Sequence, residues 1–405
     1  MNTRLFFIDE CNSSRYNGIG TFRNTLLRGL YKSYESVTLI SLNSDCEKIM
    51  IDQRYYGQEF RIPYIAQGQW RYNGVLIVSS LRMLIDDDSN NIFIVNHSPS
   101  SAFITEMKRQ FPHSKFIFVI HNQGWCTQLL GDSRLLRRII KDATDIKAGN
   151  SIIEYFREEQ QIYSLVDAVV CLSMSTYKIV RNVYNIPSEK CHLIVNGIPR
   201  VRTKIVDRES IRRQLGIRPD EKIIIFAGRP TQAKGFNILL GAIKKLIKNT
   251  ENVRCVVAGS ISGVAEFEPE LASIASDLIF TGHLSAKDLK KWYVASDIGV
   301  IPSYSEQCSY SALEMMRMGL IIVSSDGNGI CDMFSNYKNA FVYKIAESSN
   351  VSARNLSHAI TEAMMAPREM TESMIEFNHH LINTRFSLAA MYDNYRRLFS
   401  YLQNM

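Results

Sequence analysis

The stretch Asp297-Ile-Gly-Val-Ile-Pro-Ser-Tyr-Ser-Glu306-Gln-Cys-Ser-Tyr-Ser-Ala-Leu-Glu314-Met-Met-Arg-Met-Gly319 decides the fold. Residues 298–301 are an apolar run of strand length, and Pro302-Ser303 ends it. From about Ser309 the period changes: Leu313, Met316 and Leu320 share a helical face, and Gly319 is placed to stop the helix. Glu306 therefore falls in the loop after the strand, and Glu314 falls inside the helix. Strand, carboxylate-bearing loop and helix N-terminus together make the ligand-binding rim of an open α/β sheet. A helix start favours an anion, and carboxylates accept hydrogen bonds from hydroxyls. The combination suits one ligand that carries both a diphosphate and sugar hydroxyls. The spacing of two glutamates also fits a solvated loop and helix, so the rest of the chain has to decide.

A chain of 405 residues is too long for one ordinary core and fits two domains. Its 46% hydrophobic and 21% charged content is that of a globular protein. A net charge of +7, spread along the chain, suits phosphate-bearing ligands or an anionic membrane surface and is too diffuse for nucleic acid. The eight cysteines form no C-x-x-C pair and have no histidine at zinc spacing, which points to a reducing compartment and no metal site. The N-terminus reads as a strand broken by charge rather than a signal peptide, and no apolar run reaches the roughly 18 residues of a membrane span. A cytoplasmic protein, at most peripheral at the inner face of a membrane, is expected.

Strand and helix patterns alternate along both halves. Residues 5–8 read as a strand, 12–20 as a polar loop ending Asn17-Gly18-Ile19-Gly20, and Phe22, Leu26, Leu27 and Leu30 as a helix face. Gly18 and Gly20 either let the backbone approach a phosphate or serve a tight turn; both readings stand. Residues 45–90 read as irregular, with an aromatic group (Tyr55, Tyr56, Phe60, Tyr64, Trp70, Tyr72) that either lines an acceptor pocket or packs. Asp86-Asp87-Asp88 reads as a turn. His97 and His121 each follow an apolar strand, at the sheet edge where ligands bind. Residues 129–160 read as one charged helical stretch whose Arg134, Arg137, Arg138 and Lys141 suit anionic lipid or an acidic acceptor, or simply face solvent. After a polar linker at 200–220, strand 222–227 leads into Gly228-Arg229-Pro-Thr-Gln-Ala-Lys234-Gly235. An Arg and a Lys at a strand's carboxyl end make a phosphate clamp. A long helical tail is expected over 355–405.

These residues resemble the retaining nucleotide-sugar glycosyltransferases of family 4. Gly228-Arg229 with Lys234-Gly235 is similar to that family's G-R-x-x-x-x-K-G signature. Pro302-Ser303, Glu306, Glu314 and Gly319 resemble its P-S-x-x-E-x7-E core. Val119-Ile120-His121, Asp167-Ala168 to Ser173, Val195-Asn196-Gly197 and Asn17 to Gly20 match further motifs in the family's order. The resemblance implies the GT-B fold: two Rossmann-like doubly wound domains facing across a cleft. These would be an acceptor domain at 1–200, a nucleotide-sugar donor domain at 201–380, and a C-terminal helix at 381–405 crossing back to the first domain. It implies that Arg229 and Lys234 hold the donor diphosphate and that Glu314 holds the ribose. Glu306 holds the sugar hydroxyls and His121 lies near the reacting carbon. Gly18, Gly20, Ser309 and Tyr310 lie close to the donor.

The implied reaction is metal-independent sugar transfer, with retention, from a UDP- or GDP-linked donor and with no other cofactor. The acceptor would be a saccharide, lipid-linked or peptide hydroxyl. The family's bacterial surface polysaccharide and glycolipid roles set the expectation, and a small-molecule acceptor is an alternative. A nucleotide-sugar 2-epimerase and a non-catalytic sugar-nucleotide-binding subunit are the competing readings. The sequence departs from the family at Gln307-Cys308-Ser309-Tyr310, where glycines are usual, at Ile198-Pro199, and at Asp332 in place of a Glu.

Overall fold

A computed structural model describes residues 3–10, 18–63, 74–96, 100–142, 151–201, 207–262 and 264–405. The chain forms two units: Met1–Gly197 together with Leu388–Met405, and Ile198–Ser387. Within the described residues no helix is long and apolar enough to cross a membrane.

The first unit runs β1 (Arg4–Glu10), α1 (Gly18–Leu30), β2 (Ser36–Ser44), β3 (Met50–Arg54), β4 (Gly57–Pro63), α2 (Gly74–Leu84), β5 (Asn91–Val95), α3 (Ser101–Gln110) and β6 (Lys115–Ile120). It continues through α4 (Gly124–Gln128), α5 (Ser133–Asp142), α6 (Ser151–Leu165), β7 (Ala168–Cys171), α7 (Met174–Asn182) and β8 (Cys191–Leu193). Its sheet has the order β3-β4-β2-β1-β5-β6-β7-β8 and is parallel except for the β3/β4 hairpin. Strands β5 and β7 are buried at every position, as a parallel sheet covered on both faces requires.

The second unit runs α8 (Arg208–Gln214), β9 (Lys222–Ala227), α9 (Phe236–Leu246), β10 (Val253–Ala258), β11 (Leu278–Gly282), α10 (Ala286–Ala295), β12 (Ile298–Ile301), α11 (Tyr310–Met318), β13 (Ile321–Ser325), β14 (Phe341–Tyr343), α12 (Ser349–Met365) and α13 (Arg368–Asn383). Its sheet, β11-β10-β9-β12-β13-β14, is wholly parallel. The quoted stretch folds as read. Strand β12 is buried throughout, Ser309 caps α11, and Gly319 ends that helix in the left-handed region (φ 77°) that favours glycine.

Three expectations need correction. Residues 45–90 are not irregular: they hold β3, β4 and α2, and β3 is an edge strand whose side chains are mostly exposed, so it lacks hydrophobic alternation. The expected helical stretch 129–160 holds α5 and the first part of α6, and 143–150 lie outside the described residues. The tail is three helices, interrupted at Pro367 and at 384–387. Its last one, α14 (Leu388–Gln403), belongs to the first unit. Met391, Tyr395, Leu398, Phe399 and Leu402 are its buried stripe, with Tyr395 edge-on to Phe22 and the Tyr392 hydroxyl donating to the Thr25 carbonyl at 2.9 Å. Lastly, Gly18 and Gly20 sit in the first turn of α1 rather than in a loop before it.

Candidate active site

In the second unit β9 lies between β10 and β12, so the chain winds outward in opposite directions from the β9/β12 seam. In an open α/β sheet that seam is where ligands bind, at the strands' carboxyl ends. The loop after β9 carries Arg229 and Lys234; the loop after β12 carries Glu306. Lys234 Nζ donates to Glu306 Oε1 at 2.6 Å, and the Ser303 hydroxyl donates to the same oxygen at 2.9 Å. The two loops are also joined through their backbones, with the Tyr304 N–H donating to the Ala233 carbonyl at 3.1 Å. Gly235 makes this approach feasible: it is left-handed (φ 68°), and a Cβ there would lie 2.6 Å from the Pro302 carbonyl carbon and closer still to its oxygen. From the other side the Ser325 hydroxyl donates to the Ser303 carbonyl at 2.6 Å, Glu306 N–H to the Asn328 carbonyl at 2.9 Å, and the Tyr343 hydroxyl to the Pro302 carbonyl at 3.1 Å. The acidic loop is therefore held rigidly at both ends.

Glu314, on α11, takes a hydrogen bond from the Tyr293 hydroxyl of α10 at 3.1 Å. Burial raises the Glu314 carboxyl above its ordinary value, against the opposing effects of Tyr293 and Arg317. Arg229 is exposed and has no carboxylate partner among the described residues, so its charge is uncommitted. Ser309 and Tyr310 stand at the start of α11, with Ser309 buried. Gln307 and Cys308, where the family's glycines are replaced, are buried too. No group of three or more His, Cys, Asp or Glu side chains able to hold a metal ion occurs among the described residues.

In the first unit the corresponding seam lies between β1 and β5. His121, following β6, is half-buried; its Nε2 lies 2.6 Å from Oδ1 of the buried Asn96, which follows β5. With the amide oxygen accepting, the proton sits on Nε2. The Phe22 ring of α1 stands edge-on to the imidazole at 4.7 Å between centroids. Next to Phe22, Arg23 pairs at 2.8 Å with Asp9, the fully buried carboxylate near the end of β1. Of the aromatic group at 55–72, Phe60 is core, while Tyr64, Trp70 and Tyr72 lie outside the described residues, as does His97. Asp87 belongs to a structural turn, accepting from the Ser114 N–H at 3.1 Å and the Ser114 hydroxyl at 2.8 Å. Asp9, Arg23, Asn96 and Tyr293 were missed by motif reading. Their signal was positional, since Asp9 and Asn96 sit at strand ends.

Comparison with known proteins supplies the family. The profile of Glycosyltransferase Family 4 matches residues 16–202, and that of Glycosyl transferases group 1 matches residues 207–380. An uncharacterized glycosyltransferase of Methanocaldococcus jannaschii is 30% identical over 178 residues, 42% of this chain and 45% of that protein. The chain thus spans less than half the length of the curated relatives it matches. Among solved structures, sucrose-phosphate synthase from Thermosynechococcus elongatus superposes with a TM-score of 0.76 at 14% identity, covering 99% of this chain and 100% of that one. Anabaena HepE in complex with UDP-glucose gives 0.69 at 14% identity, covering 99% and 100%. These likenesses establish a shared fold, and the two profiles, which between them leave only 203–206 unmatched inside 16–380, establish that the chain belongs to the glycosyltransferases of family 4, with their group 1 domain and the GT-B fold.

Proposed function

We propose that the protein transfers a sugar, with retention and without a divalent metal, from a nucleoside-diphosphate donor to a hydroxyl acceptor. The observation that carries this reading is the Lys234–Glu306 pair at the β9/β12 seam, where a cation for phosphate and a carboxylate for hydroxyls sit 2.6 Å apart. Lys234 Nζ has three hydrogens and can serve Glu306 and a phosphate oxygen together. Arg229 adds a second cation, so charge developing on the departing diphosphate is met by fixed positive groups. Glu314 accepts the ribose hydroxyls and Glu306 those of the sugar. The bond from the anomeric carbon to the phosphate oxygen breaks as the acceptor oxygen bonds to the same face. The acceptor proton passes to the departing phosphate oxygen. His121 contacts the sugar near that carbon, with Gly18 and Gly20 close by. Residues 1–200 serve the acceptor and 201–380 the donor, and 381–405 return the chain to the first domain through α14.

For the acceptor we propose a saccharide or lipid-linked hydroxyl in surface polysaccharide or glycolipid assembly, with a peptide or small molecule as the alternative. We place the protein in the cytoplasm, at most peripheral at the inner face of a membrane. In support, Arg134, Arg137, Arg138 and Lys141 on α5 are all exposed. The solved HepE complex with UDP-glucose makes that donor the first to test. The decisive assay incubates purified protein with UDP- and GDP-sugars, a panel of hydroxyl acceptors and EDTA, and assigns product anomeric configuration by NMR. Transfer with retention that is lost in Glu306→Ala and Lys234→Ala supports the reading. Epimerised donor without acceptor, or tight nucleotide binding without turnover, would replace it with an epimerase or a binding subunit.

A further inference from the structure

Helix α6 carries two consecutive glutamates, and each holds the start of a different helix. Glu158 Oε1 accepts the Ser101 N–H at 2.6 Å and its Oε2 accepts the Ser101 hydroxyl at 2.9 Å. Glu159 Oε1 accepts the Gly124 N–H at 2.6 Å, and its Oε2 accepts the Tyr184 hydroxyl. Consecutive helical residues point about 100° apart, so one helix reaches two neighbouring loops. Ser101 opens α3 and Gly124 opens α4, the helices that follow β5 and β6. Asn96 and His121 directly follow those strands, and their side chains meet at 2.6 Å. Glu159 thus acts on the backbone three residues beyond the imidazole.

The path from Glu159 to His121 is short. Gly124 is three residues beyond His121, with the exposed Asn122 and the fully buried Gln123 between them. A Cβ on Gly124 would meet the Tyr155 ring of α6 at 2.7 Å, so helix and loop are in close contact. Tyr184 is itself buried and stacks on Phe156 of α6 with 4.4 Å between centroids, which fixes the hydroxyl that Glu159 accepts. The first N–H groups of α3 and α4 would otherwise be unpaired donors at the helix starts. A carboxylate there also interacts favourably with the helix dipole.

We infer that Glu159, seated by Tyr184, is a positioning residue for sugar transfer: it fixes the 121–124 backbone and thereby the orientation of the His121 imidazole. This rests on the function proposed above. In Glu159→Ala, kcat per folded molecule falls about 10- to 100-fold, while nucleotide affinity, which belongs to the second unit, stays within twofold of wild type. Glu159→Gln keeps an oxygen for the Gly124 N–H and recovers most of the loss. Tyr184→Phe, which retains the ring, shows an intermediate loss. The second readout is the imidazole resonance of His121, assigned with a His121→Gln variant in histidine-labelled protein. It shifts in Glu159→Ala and returns towards wild type in Glu159→Gln. An unmoved His121 resonance in folded Glu159→Ala or Tyr184→Phe overturns the inference. So does a kcat equal to wild type. If wild-type protein transfers no sugar, the proposed function fails, and the NMR comparison still decides whether Glu159 orients His121.

Discussion

Gly235→Ala is the sharpest test of how the two site loops are built. At φ 68° the residue lies in the left-handed region, where a side chain costs about 1 kcal/mol. The larger effect is steric. The new Cβ would lie 2.6 Å from the Pro302 carbonyl carbon, where ordinary contact begins at 3.4 Å, and the carbonyl atoms are backbone atoms that cannot rotate away. The loops after β9 and β12 would have to part by roughly 1 Å, and such overpacking costs about 1–3 kcal/mol. A total of about 2–4 kcal/mol, at about 2–4 °C per kcal/mol for a unit of this size, lowers the unfolding transition by about 5–15 °C. Parting the loops also breaks the 2.6 Å Lys234–Glu306 contact, so nucleotide-sugar affinity falls with stability. Gly216→Ala is the matched control: its φ is 67°, with nothing within 4 Å of the added carbon, so it loses only about 1 kcal/mol and binds normally. The two variants are compared by calorimetric unfolding and by titration with UDP-glucose. Equal unfolding temperatures and affinities for both would refute the claim that Gly235 sets the spacing of the loops.

Three further outcomes follow from the site's electrostatics. Because burial raises the Glu314 carboxyl, UDP affinity weakens as pH falls through a value above the ordinary carboxylate range; Tyr293→Phe removes a bond that opposes the rise and moves this loss to higher pH, measured by titration calorimetry between pH 5 and 8. Glu159 is pushed up to about 7 by burial, against the Tyr184 and Gly124 hydrogen bonds. A carboxyl raised in the folded state contributes stability that is present below its unfolded value and lost as pH rises through 7, here about 3 kcal/mol in order of magnitude. Glu159→Gln stays neutral, so its unfolding temperature relative to wild type rises between pH 4.5 and 8; a pH-independent difference would contradict the assignment. Arg229→Ala removes an exposed side chain, so unfolding moves by less than about 0.5 kcal/mol, while UDP affinity falls about tenfold and loses part of its salt dependence.

What the sequence disclosed and what it withheld divide along physical lines. The β12–α11 stretch was legible because a buried parallel strand must be continuously apolar, and because Ser309 and Gly319 have few roles besides cap and stop. Arg229, Lys234 and Glu306 were legible as residue types in loops after strands, and Glu314 as a carboxylate in the helix that follows, since an open sheet presents its carboxyl edge to ligands whatever it binds. The hairpin β3/β4 was not, because an edge strand with mostly exposed side chains lacks the alternation that marks a half-buried one. Least visible were the supports. Tyr293 lies 21 residues from Glu314, Asn96 lies 25 from His121, and Glu159 lies 35 from Gly124. Tyr293 and Glu159 sit in helices whose local pattern they fit without remark, and Asn96 directly follows a strand. Such partners are chosen by the fold rather than by their neighbours in sequence. A motif therefore names the groups that meet a ligand, and only the folded chain names the groups that hold them still.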